Sequence, residues 1–113
     1  MADIHVVIVN YNAGLFLLRA VDSVLRQPFV SRVIVVDNAS RDKSMEKLDQ
    51  RAADDPRVIV IRNERNLGFA RACNLGVRVA AAEFLLFLNP DCEVQDGAFE
   101  KMANLATKAG VEG

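Results

Sequence analysis

No stretch of this chain approaches the ~20 apolar residues that a membrane-spanning helix needs. Its opening, Met1-Ala2-Asp3, lacks a basic segment ahead of an apolar one, so no secretory signal is legible. There is no excess of basic charge either, since the formal net charge is −1. Such a chain has no long-range field to draw in nucleic acid or an anionic lipid surface. Cysteine is scarce. Cys73 and Cys92 fall within apparent structured segments and read as free thiols of a reducing compartment. Neither has metal-ligand spacing. Gly-x-Gly-x-x-Gly and Gly-x-x-x-x-Gly-Lys-Ser/Thr are both missing, which removes the dinucleotide fingerprint and the phosphate loop. Repeats, linkers and low-complexity tracts are absent as well. With 113 residues and 51% hydrophobic content, the chain fits a single folded domain over 1–113.

What is present is a set of apolar runs that each end on polar residues. Ile4 to Val9 runs into Asn10-Tyr11-Asn12, and Val33 to Val36 into Asp37-Asn38. Val58 to Ile61 runs into Arg62-Asn63, and Phe84 to Leu88 into Asn89-Pro90-Asp91. Continuous, largely β-branched runs suit strands buried on both faces, as in a parallel sheet covered by helices. If the strands are parallel, their carboxyl ends share one edge, where open α/β sheets bind ligands.

Helical periodicity fills the gaps. Leu15, Leu18, Val21, Val24 and Leu25 are spaced for one helix, which Gln27-Pro28 stops. Met45, Leu48 and Ala52 share a face of a second, with Ser40 or Asp42 as its cap. Ala70, Cys73, Val77 and Ala80 or Ala81 mark a third, after Asn66-Leu67-Gly68. Ala98, Met102, Leu105 and Ala109 mark a last one, stopped near Gly110. The alternation β-α-β-α-β-α-β-α argues for an α/β fold with a mostly parallel sheet and helices on both faces. Since the last helix has no strand to follow it, the chain reads as the front part of a longer domain.

The candidate site residues sit where the runs end. Asp91 and Glu93, at i and i+2 past a strand, can hold a hard divalent cation through oxygen, although Asn-Pro-Asp is also an ordinary turn. Asp37-Asn38 can accept hydrogen bonds from a base or ribose, or can bond its own backbone in a local turn or helix entry. Tyr11 can lie against a nucleobase while Asn10 or Asn12 orients the chain; a helix-initiating loop capped by Asn12 fits as well. Arg71 lies early in the third helix and can meet phosphate, or can belong to a solvated face. Asn74, beside Cys73 and Val77, reads as a half-buried amide in need of partners. His5, early in the first strand and far from that edge, reads as structural.

These segments together resemble the amino-terminal half of a family 2 glycosyltransferase of the GT-A fold. The resemblance rests on Val7-Ile8-Val9-Asn10-Tyr11-Asn12, Ser23-Val24-Leu25-Arg26-Gln27 and Val33 to Asp37 with Asn38-Ala39-Ser40 and Asp42. It continues in Asn66-Leu67-Gly68-Phe69-Ala70, Asn74-Leu75-Gly76 and Leu86-Phe87-Leu88-Asn89-Pro90-Asp91. Asp-Asn-Ala-Ser and Leu-Asn-Pro-Asp look most like the rhamnosyltransferase-type branch. The resemblance implies an open, Rossmann-like sheet in the order 3-2-1-4. It also implies a UDP- or dTDP-linked sugar donor, a divalent cation (Mg²⁺ or Mn²⁺), transfer with inversion, and a glycan or lipid-linked acceptor. Asp37 would contact base or ribose, Tyr11 would line the base pocket, and Asp91 would be the last acid of an Asp-x-Asp metal motif. Asn89 replaces that motif's first Asp; it can still bond ribose but brings no charge, and Glu93 is placed to compensate. The acceptor half and its catalytic base would lie beyond residue 113. The implied location is cytoplasmic, with the inner face of a membrane as its extension, and an open sheet edge would favour a homodimer.

Two rivals remain at this stage. A sugar-phosphate nucleotidyltransferase would have a Gly-rich basic loop after the first strand, where this chain has Asn10-Tyr11-Asn12-Ala13-Gly14. A flavodoxin-like signalling module with Asp37 as phosphoacceptor would need an acidic cluster there and a late Lys, and has neither.

Overall fold

A computed structural model describes residues 3–82 and 84–101. Strand β1 (Ile4–Asn10), helix α1 (Leu15–Leu25), β2 (Val30–Asp37), α2 (Ser44–Asp54), β3 (Val58–Arg62), α3 (Phe69–Val79) and β4 (Phe84–Leu88) follow in chain order. The strands form one sheet in the order β3-β2-β1-β4, and every pair is parallel. A further helix begins at Ala98; the sequence expectation for Met102, Leu105 and Ala109 lies outside the described residues.

Alternation along each strand explains the layers. Val6, Ile8, Val33, Val35 and Val58 point to the side covered by α1 and α2, where Leu17, Val21, Val24 and Leu48 complete a core. Val7, Ile34 and Val36 point to the opposite side, onto Ala72 of α3. Both faces of β1 and β2 are therefore dry, which is why their runs are unbroken. Each fully buried aliphatic chain contributes roughly 1.5–3 kcal/mol relative to an exposed one.

The third helix buries a different stripe from the one its spacing suggests. Ala72 and Gly76 face the sheet, with Leu75 and Val79 beside them, while Ala70 and Val77 are exposed. Gly76 decides this. A Cβ built there would stand 2.5 Å from Val7 Cγ1, so the helix lies closer to the sheet than any larger residue permits. Helix α1 likewise buries Leu17, Ala20, Val21, Val24 and Leu25 and leaves Leu15 exposed.

Helix α1 has no basic residue in its last turn. Arg57 supplies the cation from the start of β3, with Nη1 donating to the Leu25 carbonyl at 3.2 Å. The same guanidinium donates to both Asp55 oxygens, at 3.0 Å from Nε and 2.7 Å from Nη2. Those bonds hold the Asp55 carboxyl down to about 2, from 3.8. A carboxyl depressed in the folded state stabilises the fold above its unfolded value and loses that contribution as pH falls toward the folded one. Stability from this pair is therefore complete above about pH 4 and disappears as pH falls to about 2. Urea titrations across that window should show Arg57→Met losing less stability on acidification than the native chain.

Gly76→Ala gives a second check. In an exposed helix interior this change gains about 1 kcal/mol. Here it should cost about 1–3 kcal/mol through overpacking against Val7. A raised urea midpoint would show that α3 is not seated as described.

Candidate functional site

The strand register brings the polar run-ends to one edge. Asn10 of β1 pairs with Asp37 of β2, and Asp37 with Arg62 of β3. On the other side of β1, Ile8 pairs with Leu88, so Asn89 to Glu93 emerge next to the first loop.

Asn10 is fully buried. Its Nδ2 donates toward Asp37 Oδ1 at 3.0 Å, Ser44 Oγ at 3.0 Å and Ser40 Oγ at 3.1 Å. Its Oδ1 accepts the Ala13 N–H at 3.3 Å. Asp37 is only 5% exposed. Besides Asn10, it accepts the Ser40 hydroxyl at 2.6 Å and the Ser40 N–H at 3.2 Å. The local turn weighed from the sequence is thus present, with Ala39 between them at φ 62°.

Asn12 does not cap α1. At φ 53°, its Oδ1 accepts the N–H groups of Arg41 (2.7 Å) and Asp42 (3.3 Å), tying the first loop to the second. Asp42 answers from the other side, accepting Gly14 N–H at 2.8 Å. It also accepts the Ser44 hydroxyl at 2.5 Å and the Ser44 N–H at 3.1 Å, which serves the amino end of α2. The Ser44 hydroxyl, with the backbone N–H groups of Ser44 and Gly14, holds the Asp42 carboxyl below the usual range, against a smaller opposing effect of burial.

Asn38 forms a second hub. Its Nδ2 donates to the Gly68 carbonyl at 3.3 Å, and its Oδ1 accepts Asn63 Nδ2 at 2.9 Å and Leu67 N–H at 3.4 Å. It thereby fixes the loop entering α3. Ser44 and Asn63 are site-edge residues that sequence reasoning assigned no part; Asn63 was visible only as the end of the third run.

The remaining candidates are open to solvent. Tyr11 is 52% exposed. Arg71 is exposed in the first turn of α3. Asn74 is exposed too, which corrects the half-buried reading: the sheet-facing stripe of α3 runs through Ala72 and Gly76, so Asn74 points away and lines a shallow groove with Leu67, Arg71, Leu75 and Arg78. Asn89, Asp91 and Glu93 are exposed, in a turn where Asn89 O accepts Cys92 N–H at 3.0 Å. Both cysteines are free thiols. His5 sits buried at the opposite edge, its Nδ1 accepting Ala81 N–H at 3.1 Å.

No group of three or more His, Cys, Asp or Glu side chains converges among the described residues. The described residues alone offer no complete cage for a metal. Asp91 and Glu93 are nevertheless two open, hard oxygen donors, the complement that suits a cation shared with substrate phosphates.

An all-parallel sheet in this order, with polar groups at its carboxyl edge, is an open α/β sheet, and the solved structures it overlays give it the GT-A fold. It overlays the crystal structure of S. aureus TarS 1–349 in complex with UDP-GlcNAc with a TM-score of 0.81 at 22% identity, covering 94% of this chain and 31% of that one. It overlays GalNAc-T7 with UDP, GalNAc and Mn²⁺ with a TM-score of 0.83 at 29% identity, covering 96% and 21%. Residues 5–113 match the glycosyl transferase family 2 model, and the chain belongs to that family. The glycosyltransferase GlyG of Streptococcus pneumoniae serotype 4 is 34% identical over 100 residues, 88% of this chain. The chain spans 33% of GlyG's length.

The buried amide gives a direct check on the edge. Asn10→Asp replaces the donor facing Asp37 with an acceptor, so two carboxylates would share one dry site. The variant should lose about 2–4 kcal/mol at pH 7 and recover part of it near pH 5, as a shared proton restores the bond. Equal urea midpoints for native and variant at both pH values would show that Asn10 is not the hub.

Proposed function

We propose that this chain binds a nucleoside diphosphate sugar at the carboxyl edge of its sheet, as the donor-binding part of an inverting glycosyltransferase. The observation that carries the reading is the row of strand ends, Asn10, Asp37 and Asn38 beside Asn89 and Asp91, in a family 2 chain. Family membership disfavours the nucleotidyltransferase and signalling alternatives.

In this reading Tyr11 offers its exposed ring to the base. Asp37 holds the first two loops together and presents what remains of its Oδ2 to base or ribose, while Asn38 sets the loop below. Asn12 and Asn89 border the ribose. Arg71, with Asn74 one turn on, meets the phosphates from the amino end of α3. Asp91 and Glu93 would hold a divalent cation, Mg²⁺ or Mn²⁺, which neutralises the departing diphosphate when bound. The UDP and Mn²⁺ recorded with GalNAc-T7 support both choices, with dTDP as the other nucleotide. The acceptor side and its general base would be supplied outside these residues; the chain spans 33% of GlyG.

The acceptor would be a glycan or a lipid-linked intermediate. No described helix is long and apolar enough to cross a membrane. The proposed location is the cytoplasm, with a lipid-linked acceptor met at the inner face of the membrane. The open edge of β4, with Phe87 51% exposed, is the surface a homodimer would use.

Calorimetric titration of UDP and dTDP, with Mn²⁺ and with chelator, tests the reading. The 113-residue chain should bind weakly and transfer no sugar. Asp91→Asn should remove the metal-dependent gain, on the order of tenfold or more in affinity, and leave the metal-free part nearly intact. Asp37→Asn should weaken binding under both conditions. Native affinity that ignores Mn²⁺ would move the metal site away from Asp91.

A further inference from the structure

We infer that Ser23, near the end of α1, and Gln27, just beyond it, are positioning residues for the turn that carries Asp91 and Glu93. The inference rests on the donor-site reading for what the turn does, but not for how it is held. After Leu88 the chain leaves the sheet, turns through Asn89 to Cys92, and comes back along the α1 side, where Val94, Ala98 and Phe99 join the core. From Cys92 to Gln95 it has no helix or strand of its own. A turn of this kind, with exposed side chains, wanders unless something fixes both of its limbs.

The entering limb is fixed by the ladder between β4 and β1. The leaving limb is gripped by two buried polar side chains, Ser23 in the last turn of α1 and Gln27 just past its end. Ser23 is fully buried and Gln27 is 4% exposed. Ser23 Oγ accepts the Val94 N–H at 2.9 Å while donating its own proton to the Ala20 carbonyl at 2.7 Å. Gln27 Nε2 donates to the Gln95 carbonyl at 3.1 Å, and its Oε1 accepts the Phe99 N–H at 3.3 Å. Three backbone groups of the returning segment are thus held by two side chains about 70 residues away.

Val94 directly follows Glu93 and stands three residues from Asp91, so the clamp acts at the base of the carboxylate turn. Polar groups this deep in an aliphatic face are costly unless fully bonded. Within their own segment Ser23 donates to the Ala20 carbonyl and Gln27 Nε2 also reaches the Ser23 carbonyl at 3.4 Å, but those bonds use neither the accepting lone pair of the hydroxyl nor the amide Oε1. The hydroxyl and amide are explained by the segment they hold. A carboxylate that must meet a cation shared with phosphate gains from arriving already placed, and partners behind metal ligands typically govern affinity 10- to 100-fold.

The test compares native chain, Ser23→Ala and Gln27→Met by amide hydrogen exchange and by UDP titration. Ser23→Ala is the milder change, since alanine is the best helix former and adds no volume. Thermal melts confirm that each variant is folded. The Cys92 amide, bonded to Asn89 O, reports the turn without any ligand. Both variants should speed exchange at Cys92 as well as at Val94, and should cut the Mn²⁺-dependent gain in UDP affinity on the order of tenfold, with metal-free affinity unchanged. If Val94 exchanges faster while Cys92 and the Mn²⁺ gain stay native in both variants, the clamp only packs the core and the inference is wrong. If native affinity shows no Mn²⁺ gain, the donor-site reading fails, and faster exchange at Cys92 still decides whether Ser23 and Gln27 place the turn.

Discussion

Dry polar groups at the end of a parallel sheet are the constraint on which this structure turns. Asn10 ends β1 where water does not reach, and both sides of its amide must find partners inside the protein. It finds them in Asp37, Ser40, Ser44 and the start of its own loop. One strand later Asn38 meets the same demand with Asn63, Leu67 and Gly68. Each hub fastens its strand end to the loop beyond, so neighbouring loops are set by one another. Neutral amides at both hubs avoid burying a charge, and the buried carboxylate drawn into the network, Asp37, accepts enough hydrogen bonds to stay there.

Close packing below that edge keeps it level. α3 can only lie as near as it does because Gly76 has no side chain against Val7. Its amino end then rests where Asn38 can reach Gly68. On the other face, α1 and α2 meet the same strands, and Arg57 closes the distal end of α1. The binding edge and the hydrophobic core are therefore not separable parts. The height of a helix, set by aliphatic contact, decides which loop carbonyl a polar hub meets.

Much of this was legible from residue order. Unbroken β-branched runs fit strands buried twice, and the alternation with helices left a parallel sheet as the consistent arrangement. The run-ends named the edge because polar residues there break an otherwise apolar pattern. What escaped is instructive. Ala70, Cys73 and Val77 have the same period as Ala72, Gly76 and Val79, and spacing alone cannot rank the two stripes when the deciding residue is a glycine. Asn74 was misjudged for that reason. Asn12 looked like a cap for its own helix, yet it serves the next loop, since a short amide bonds whichever donors the fold brings near. Ser23 and Gln27 were visible as residues of a recognisable segment, but their partners are remote in sequence and no local pattern points to them.

That remoteness has a consequence for assembly order. The Asn10 hub joins residues no farther along the chain than Met45, and the Asn38 hub needs nothing beyond Gly68. In a polypeptide made from its amino end, both can close while β4 is still unmade. The grip of Ser23 and Gln27 on the returning segment waits until Phe99 has been added. Contacts between distant residues bear the larger loop-closure entropy and form late. The amide frame is therefore the early scaffold, and the acidic turn is a later piece seated upon it.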